Sequence, residues 1–256
     1  MPSEKFRFYL DAPRFGHKHW YGSLYPAKTK SENYLQEYIK HFNFIELNAS
    51  FYRIPAVEQV LAWKKCADDN PDFKFCPKFS QQITHIKRLK NVAGLTFQFI
   101  DVCKLFGSQL GPAFLQISKT FGIKSLETVE TYLASLPQDF MTHVEFQHRD
   151  WFIEPNLNQI THLLRQLAIG TIHHDTADRR DFLKMPLTTK TAFIRFQGNN
   201  NHPTDKQRLK SWLVKINQWR SEGLEAAYLT LNQPFEEEFP QLVGDAKKIF
   251  EELLDV

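Results

Sequence analysis

Three pairs of polar residues stand two apart inside short apolar runs: Glu46 with Asn48, Glu145 with Gln147, and Arg195 with Gln197. Residues two apart on a β-strand share a face. Three strands repeating that pattern suggest one shared polar site. Either Glu145 or Glu46 would serve as a general base, and Lys78 or Arg195 would stabilise developing negative charge. Other polar side chains fall at or just beyond the ends of β-rich runs: Gln116, His148, Asp175 and Asn232, with His85 a few residues past Lys78. Imidazoles such as His85 and His148 move protons near neutral pH. The plainer alternative is a satisfied polar layer, in which each carboxylate simply pairs with Lys78 or Arg195.

A divalent metal is a second expectation. His85, His148, His173 and His174, with Glu46, Glu145 and Asp175, form an N/O ligand set suited to zinc, manganese or iron. In two-metal hydrolysis such ions activate water and hold the leaving oxygen. Spacing gives little support: there is no HExxH, and HKH at 17–19 sits in a loop. Neighbours on a strand alternate faces, so at least one of His173 and His174 turns away from the site. No GxSxG elbow occurs, and no cysteine follows a strand end in a basic setting beside a histidine.

Eight β-rich runs must position these groups: 6–10, 44–48, 73–78, 113–118, 143–147, 169–175, 192–197 and 226–232. Helical patterns separate most of them, at 31–42, 56–69, 96–106, 126–135, 156–167, 204–221 and 238–254. After the sixth run, TADRRDFLKMPLTTK looks irregular. Alternating strands and helices predict an α/β fold with a parallel sheet. Eight such units in 256 residues predict a single (β/α)8 TIM-type barrel spanning 1–256, with its site at the C-terminal ends of the strands. A doubly wound open sheet is the alternative, weakened by the absence of a Gly-rich phosphate loop after an early strand.

Two loops at the predicted mouth are basic. Segment 12–30 carries Arg14, Lys18, Lys28 and Lys30 with no acid, and segment 78–90 carries Lys78, Lys87, Arg88 and Lys90 with none. Aromatic residues accompany them, among them Trp20 and Tyr52, with Trp151 after the fifth strand. Cations interleaved with aromatic platforms suit a phosphorylated or nucleic-acid ligand. The formal charge of +3 is too small to argue nucleic-acid binding by itself.

Three cysteines, Cys66, Cys76 and Cys103, fit no metal or redox spacing and read as buried free thiols. The N-terminus has no basic region followed by an apolar core, and no run of about 18 apolar residues occurs. A soluble cytoplasmic protein without membrane partners is expected.

The motifs carry a resemblance. ELNASFYRIP at 46–55 is similar to the E-I-N-S-T-F-Y-R-x-P signature of the bacterial family called domain of unknown function 72, or YecE-like. HWYGSLYP, Lys78 followed by ITHIKRL, LGPAFLQ, EFQHRDW, Asp175 and RFQG resemble its other motifs, over nearly the whole chain. The resemblance implies a TIM-type barrel and no established reaction. Three departures stand out: Gln147 where the family usually has arginine, Gln197 where it has histidine, and TLNQPF in place of a more Asn-rich pattern, keeping Asn232.

The expected catalytic set is Glu46, Lys78, His85, Glu145, His148, Asp175 and Arg195. The expected substrate contacts are Trp20, Asn48, Tyr52, Gln116, Gln147, Trp151, Gln197 and Asn232. The leading expectation is a hydrolase or related enzyme acting on a phosphate-bearing substrate, with an anionic small molecule or nucleic-acid phosphodiester as ligand. A non-catalytic binder of nucleic acid or a phosphometabolite, and a small-molecule isomerase or lyase, are the alternatives.

Overall fold

The computed structural model describes residues 6–254 apart from Pro13 and His17. His17 of HKH, and the first five residues on which the expectation of no leader rests, lie outside it. Among the described residues there are eight strands: β1 (Arg7–Asp11), β2 (Phe44–Leu47), β3 (Lys74–Pro77), β4 (Ala113–Gln116), β5 (Thr142–Glu145), β6 (Gly170–Asp175), β7 (Thr191–Gln197) and β8 (Ala226–Asn232). The helices are α1 (Tyr34–Ile39), α2 (Ala49–Tyr52), α3 (Val57–Cys66), α4 (Ala93–Lys104), α5 (Leu126–Ala134), α6 (Asn156–Gln166), α7 (Pro203–Ser221), α8 (Phe239–Ile249) and α9 (Glu251–Leu254). The stretch between β6 and β7 forms only a 3₁₀ turn, Arg180–Lys184.

All strand pairs are parallel, in the order β1-β8-β7-β6-β5-β4, with β2 on β3. Pairing of the first strand with the last is what a (β/α)8 barrel requires and a doubly wound sheet lacks. Two seams complete the ring by other means. Between β3 and β4, the Phe79 amide donates to Phe114 O at 2.9 Å and the Gly111 amide to Phe75 O at 2.8 Å. Between β1 and β2, Asn43 Nδ2 donates to Phe8 O at 2.9 Å and its Oδ1 accepts from the Leu10 amide at 2.7 Å. The Glu46 amide donates to Asp11 Oδ2 at 2.6 Å, so side chains stand in for a backbone ladder.

Strands buried on both faces explain the continuous apolar runs of the sequence. Inside the barrel, Tyr9, Phe44, Cys76, Phe114, Ile172, Phe193 and Tyr228 form a separate apolar cluster. The rings interlock: Tyr9 stacks on Tyr228 at 4.4 Å, and Phe44 meets Phe193 edge-on at 6.0 Å. The residue two positions on from each ring is polar on several strands, so a polar layer lies directly above this apolar plug. The outer strand faces, among them Leu10, Leu47, Phe75, Val144 and Leu229, join the core under the helices. Helix α7 ends where Gly223 adopts φ 99°, letting the Leu224 amide return to Trp219 O at 2.9 Å.

Cys76 and Cys103 are buried free thiols, while Cys66 is only partly covered. Among the described residues, no helix is long and apolar enough to cross a membrane.

Candidate functional site

Arg195 projects from β7 into the barrel mouth between two buried carboxylates. Its Nε lies 2.9 Å from Glu46 Oε2, and its Nη2 3.2 Å from Glu46 Oε1. Its Nη1 lies 2.8 Å from Glu145 Oε2. Burial alone would raise the Glu145 carboxyl, but Arg195 and then His174 outweigh it and hold the group well below the usual carboxylate range. The same two carboxylates hold the guanidinium charged against the cost of its own burial.

Glu145 is shared by four neighbours. Gln116 Nε2 donates to Oε2 at 3.3 Å, Gln147 Nε2 to Oε1 at 3.2 Å, and His174 Nδ1 lies 3.1 Å from Oε1. The His174 contact is at ion-pair distance without meeting hydrogen-bond geometry. The register explains the gathering: His174, Arg195, Thr230 and Asp11 lie side by side across β6, β7, β8 and β1. Gln116 pairs with Glu145 across β4 and β5.

Lys78 occupies the opposite wall. Its Nζ sits 4.6 Å from the Phe51 ring centre and 4.8 Å from that of Phe114, which also carries the Arg195 guanidinium at 4.7 Å. Only 8% of the residue is exposed. Among the described residues, no carboxylate lies within ion-pair distance of this ammonium. Burial pulls Lys78 below its ordinary value, against the attraction of Glu46 and Glu145 and aided by Arg195. The backbone here is fixed by Ser50, whose Oγ accepts from the Lys78 amide at 2.9 Å and lies 2.8 Å from its carbonyl oxygen.

Other expected residues sit at the rim. His85, on a π-helical turn (Gln82–Ile86), meets Phe51 edge-on at 5.2 Å, and its Nδ1 lies 2.7 Å from Thr84 Oγ1. Burial, then the Lys78 charge, lowers its proton affinity. Tyr52, 69% exposed, packs edge-on against Phe51. Gln197 and Asn232 pair in register at the ends of β7 and β8. Asn48 lines a cavity of about 330 Å³ beside the mouth, with Glu46, Arg14, Phe15 and Tyr34.

Three expectations are corrected. Asp175 turns to the outside of the barrel, because β6 alternates and His174 takes the inner face. It is held by Arg208 Nη1 at 2.8 Å, Trp212 Nε1 at 2.7 Å and Arg180. Trp20 is fully buried, stacked on Phe239 at 5.2 Å, and anchors the first loop instead of facing a ligand. Trp151 is likewise buried, donating from Nε1 to Phe121 O at 2.6 Å. His148, just past the end of β5, is not among them: its Nδ1 accepts from the Asp150 amide at 3.2 Å and caps the 3₁₀ turn Arg149–Phe152, while the side chain stays partly exposed. Among the described residues, no three His, Cys, Asp or Glu side chains converge as metal ligands. The cation that bridges Glu46 and Glu145 is a guanidinium.

The structure adds residues that the motifs left out. Asp11 lies beside Glu46, and burial, then the Glu46 charge, raises its carboxyl well above the ordinary range. Strand parity from Tyr9 points to Asp11, although the apolar run that marks the strand stops at Leu10. His174 shares its strand end with Asp175, and its sequence setting suggests a metal ligand before a partner for Glu145. Phe182, from the irregular segment after β6, stacks on the His174 ring at 5.4 Å and 7°, and nothing in its sequence neighbourhood announces that.

The family model described as "Protein of unknown function DUF72" matches residues 9–254. The chain belongs to the DUF72 family. It is similar to the UPF0759 protein YecE of Escherichia coli O157:H7, 30% identical over 254 residues, covering 92% of this chain and 89% of that one. It is also similar to the UPF0759 protein YunF of Bacillus subtilis, 24% identical over 228 residues, covering 77% and 79% respectively. A DUF72 family protein of Thermotoga maritima (TM1631) has a crystal structure that superposes with a TM-score of 0.77 at 21% identity, over 96% of this chain and 99% of that one. The shared fold is the barrel described above.

Proposed function

We propose that the barrel mouth is the active site of an enzyme acting on a phosphate-bearing substrate. The observation that carries this reading is Lys78. Glu46 and Glu145 share Arg195 and leave one negative charge that Lys78 balances only at longer range, since the buried Lys78 ammonium has no carboxylate at ion-pair distance among the described residues. A desolvated cation without a direct partner at the end of a barrel strand is suited to receive an anion. Phe51 and Phe114 supply apolar walls around it, and the amides of Gln116, Gln147 and Gln197 suit the polar remainder of a substrate.

Roles follow from the geometry. Glu145, held ionised by Arg195, is a weak base, so it orients His174 instead of taking the proton itself. His174 is the imidazole placed to exchange a proton with substrate, and His85 stands at the Lys78 rim. Arg195 fixes the two carboxylates and turns positive charge toward the bound anion. The replacement of the family's usual arginine by Gln147 and of its usual histidine by Gln197, each a possible cation, favours a second reading: a binding protein without turnover.

Two measurements test this. Inorganic phosphate binding, followed by calorimetry, should weaken at least tenfold in Lys78→Met. Release of nitrophenolate from bis(4-nitrophenyl) phosphate should fall to background in Glu145→Gln and in His174→Asn. Phosphate binding without turnover of this or any other phosphate ester supports the binding protein. Absence of phosphate binding rejects both readings.

A further inference from the structure

A cavity of about 650 Å³ lies away from the mouth, on the barrel flank between α7 and the segment that joins β6 to β7. That size accommodates an organic ligand rather than a few waters. Its wall holds two indoles, Trp212 and Trp219, with the His173 ring 5.9 and 5.0 Å from them. Burial pushes His173 down to about 3, so this ring stays neutral. Leu183, Met185 and Leu187 face the indoles from the joining segment.

The rim is cationic. Arg165, Lys184, Lys190 and Lys215 line it, and Glu222 is the exposed carboxylate among the lining residues. The other lining acid, Asp175, is buried and engaged by Arg208, Arg180 and Trp212. Lys190 is paired with Glu225 at 2.7 Å, whereas Lys184 and Lys215 have no carboxylate at ion-pair distance among the described residues. Lys215 lies 5.3 Å from the Trp219 ring, so cation and aromatic surface present together.

We propose that this flank cavity is a second ligand site, taking a small organic anion with a flat aromatic body. The indoles and aliphatic side chains receive the body, and the exposed lysines receive the charge. The site is independent of the mouth chemistry. It does share the joining segment with the mouth, since Phe182 stacks on His174 and the next residue, Leu183, lines the cavity.

The test uses the whole chain and 8-anilinonaphthalene-1-sulfonate, an aromatic anion, with N-phenyl-1-naphthylamine as its uncharged counterpart. Saturable binding near one dye per chain is expected, with energy transfer from tryptophan to dye. Lys184→Glu combined with Lys215→Glu, both at exposed positions, should weaken the sulfonate at least tenfold and leave the uncharged dye within about twofold. Trp219→Phe should reduce the energy transfer, while Lys78→Met at the mouth should leave the binding of both dyes unaltered. Non-saturable binding, equal affinity in the charge-reversed variant, or loss of binding in Lys78→Met would each overturn the proposal.

Discussion

Arg195 and Glu46 stand 149 residues apart in the chain and meet through two hydrogen bonds, Nε to Oε2 at 2.9 Å and Nη2 to Oε1 at 3.2 Å. This planar two-point pair joins β2 to β7 across the barrel interior, where backbone bonds cannot reach. Glu145 holds the third nitrogen, so the barrel mouth closes around one guanidinium.

Arg195→Met leaves Glu46 and Glu145 buried together without that cation. Removing one partner of a buried ion pair costs about 3–5 kcal/mol, and that loss is expected in urea unfolding. Adding Glu46→Gln to Arg195→Met removes one stranded charge and should recover part of the loss. Additive losses in the double variant would show that the two residues do not act as a pair.

Asp11 sets a pH dependence of opposite sign to that of Glu145. Burial and the Glu46 charge keep its proton on in the folded state, while the unfolded chain releases it near about 3.9. The contribution to stability is therefore full below that pH and declines as pH rises, by up to about 1.4 kcal/mol per unit. Asp11→Asn keeps a neutral group of the same shape and cannot release the proton. Unfolding measured at pH 5 and pH 7 should show the variant gaining on the parent as pH rises. A constant difference would mean that Asp11 titrates alike in both states.

Phe114 is the apolar floor beneath both mouth cations, and it is fully buried. Phe114→Ala should cost about 3–5 kcal/mol from cavity formation. Phe235→Ala is the control: that ring is 58% exposed, and a change within about 0.5 kcal/mol is expected. Comparable losses at the two positions, read from denaturant midpoints, would contradict the packing described.

Gln147→Arg places the cation of the family pattern where Gln147 Nε2 now meets Glu145 at 3.2 Å. Inorganic phosphate affinity should rise about tenfold and its salt dependence steepen, because a charged donor replaces an amide. Unchanged calorimetric affinity would show that Glu145 absorbs the added charge.

The inward positions of Glu46, Glu145 and Arg195 were legible in the sequence because strand parity is local: it needs only a run and its period. Of the three polar pairs only Arg195 and Gln197 both lie on their strand, since β2 ends at Leu47 and β5 at Glu145, and Asn48 already stands at the N-cap of α2. The eight strands were legible for the same reason, and the observed bounds differ from the expected ones by a few residues at most. Short interruptions were less so. The four-residue helix α2 and the π-helical turn at Gln82–Ile86 leave no periodic trace long enough to read.

What the sequence determined by itself, then, is the alternation of strand and helix and the residues that share a strand face. The tertiary structure decided which faces look inward. Asp175 and His174 are neighbours with equal chemical promise, yet the β6 register sends one to Arg208 and Trp212 and the other to Glu145. It also decided who compensates whom: Arg195 is claimed by two carboxylates and Lys78 by none among the described residues. Such partnerships depend on distances closed across more than a hundred residues of chain, and no local pattern encodes them.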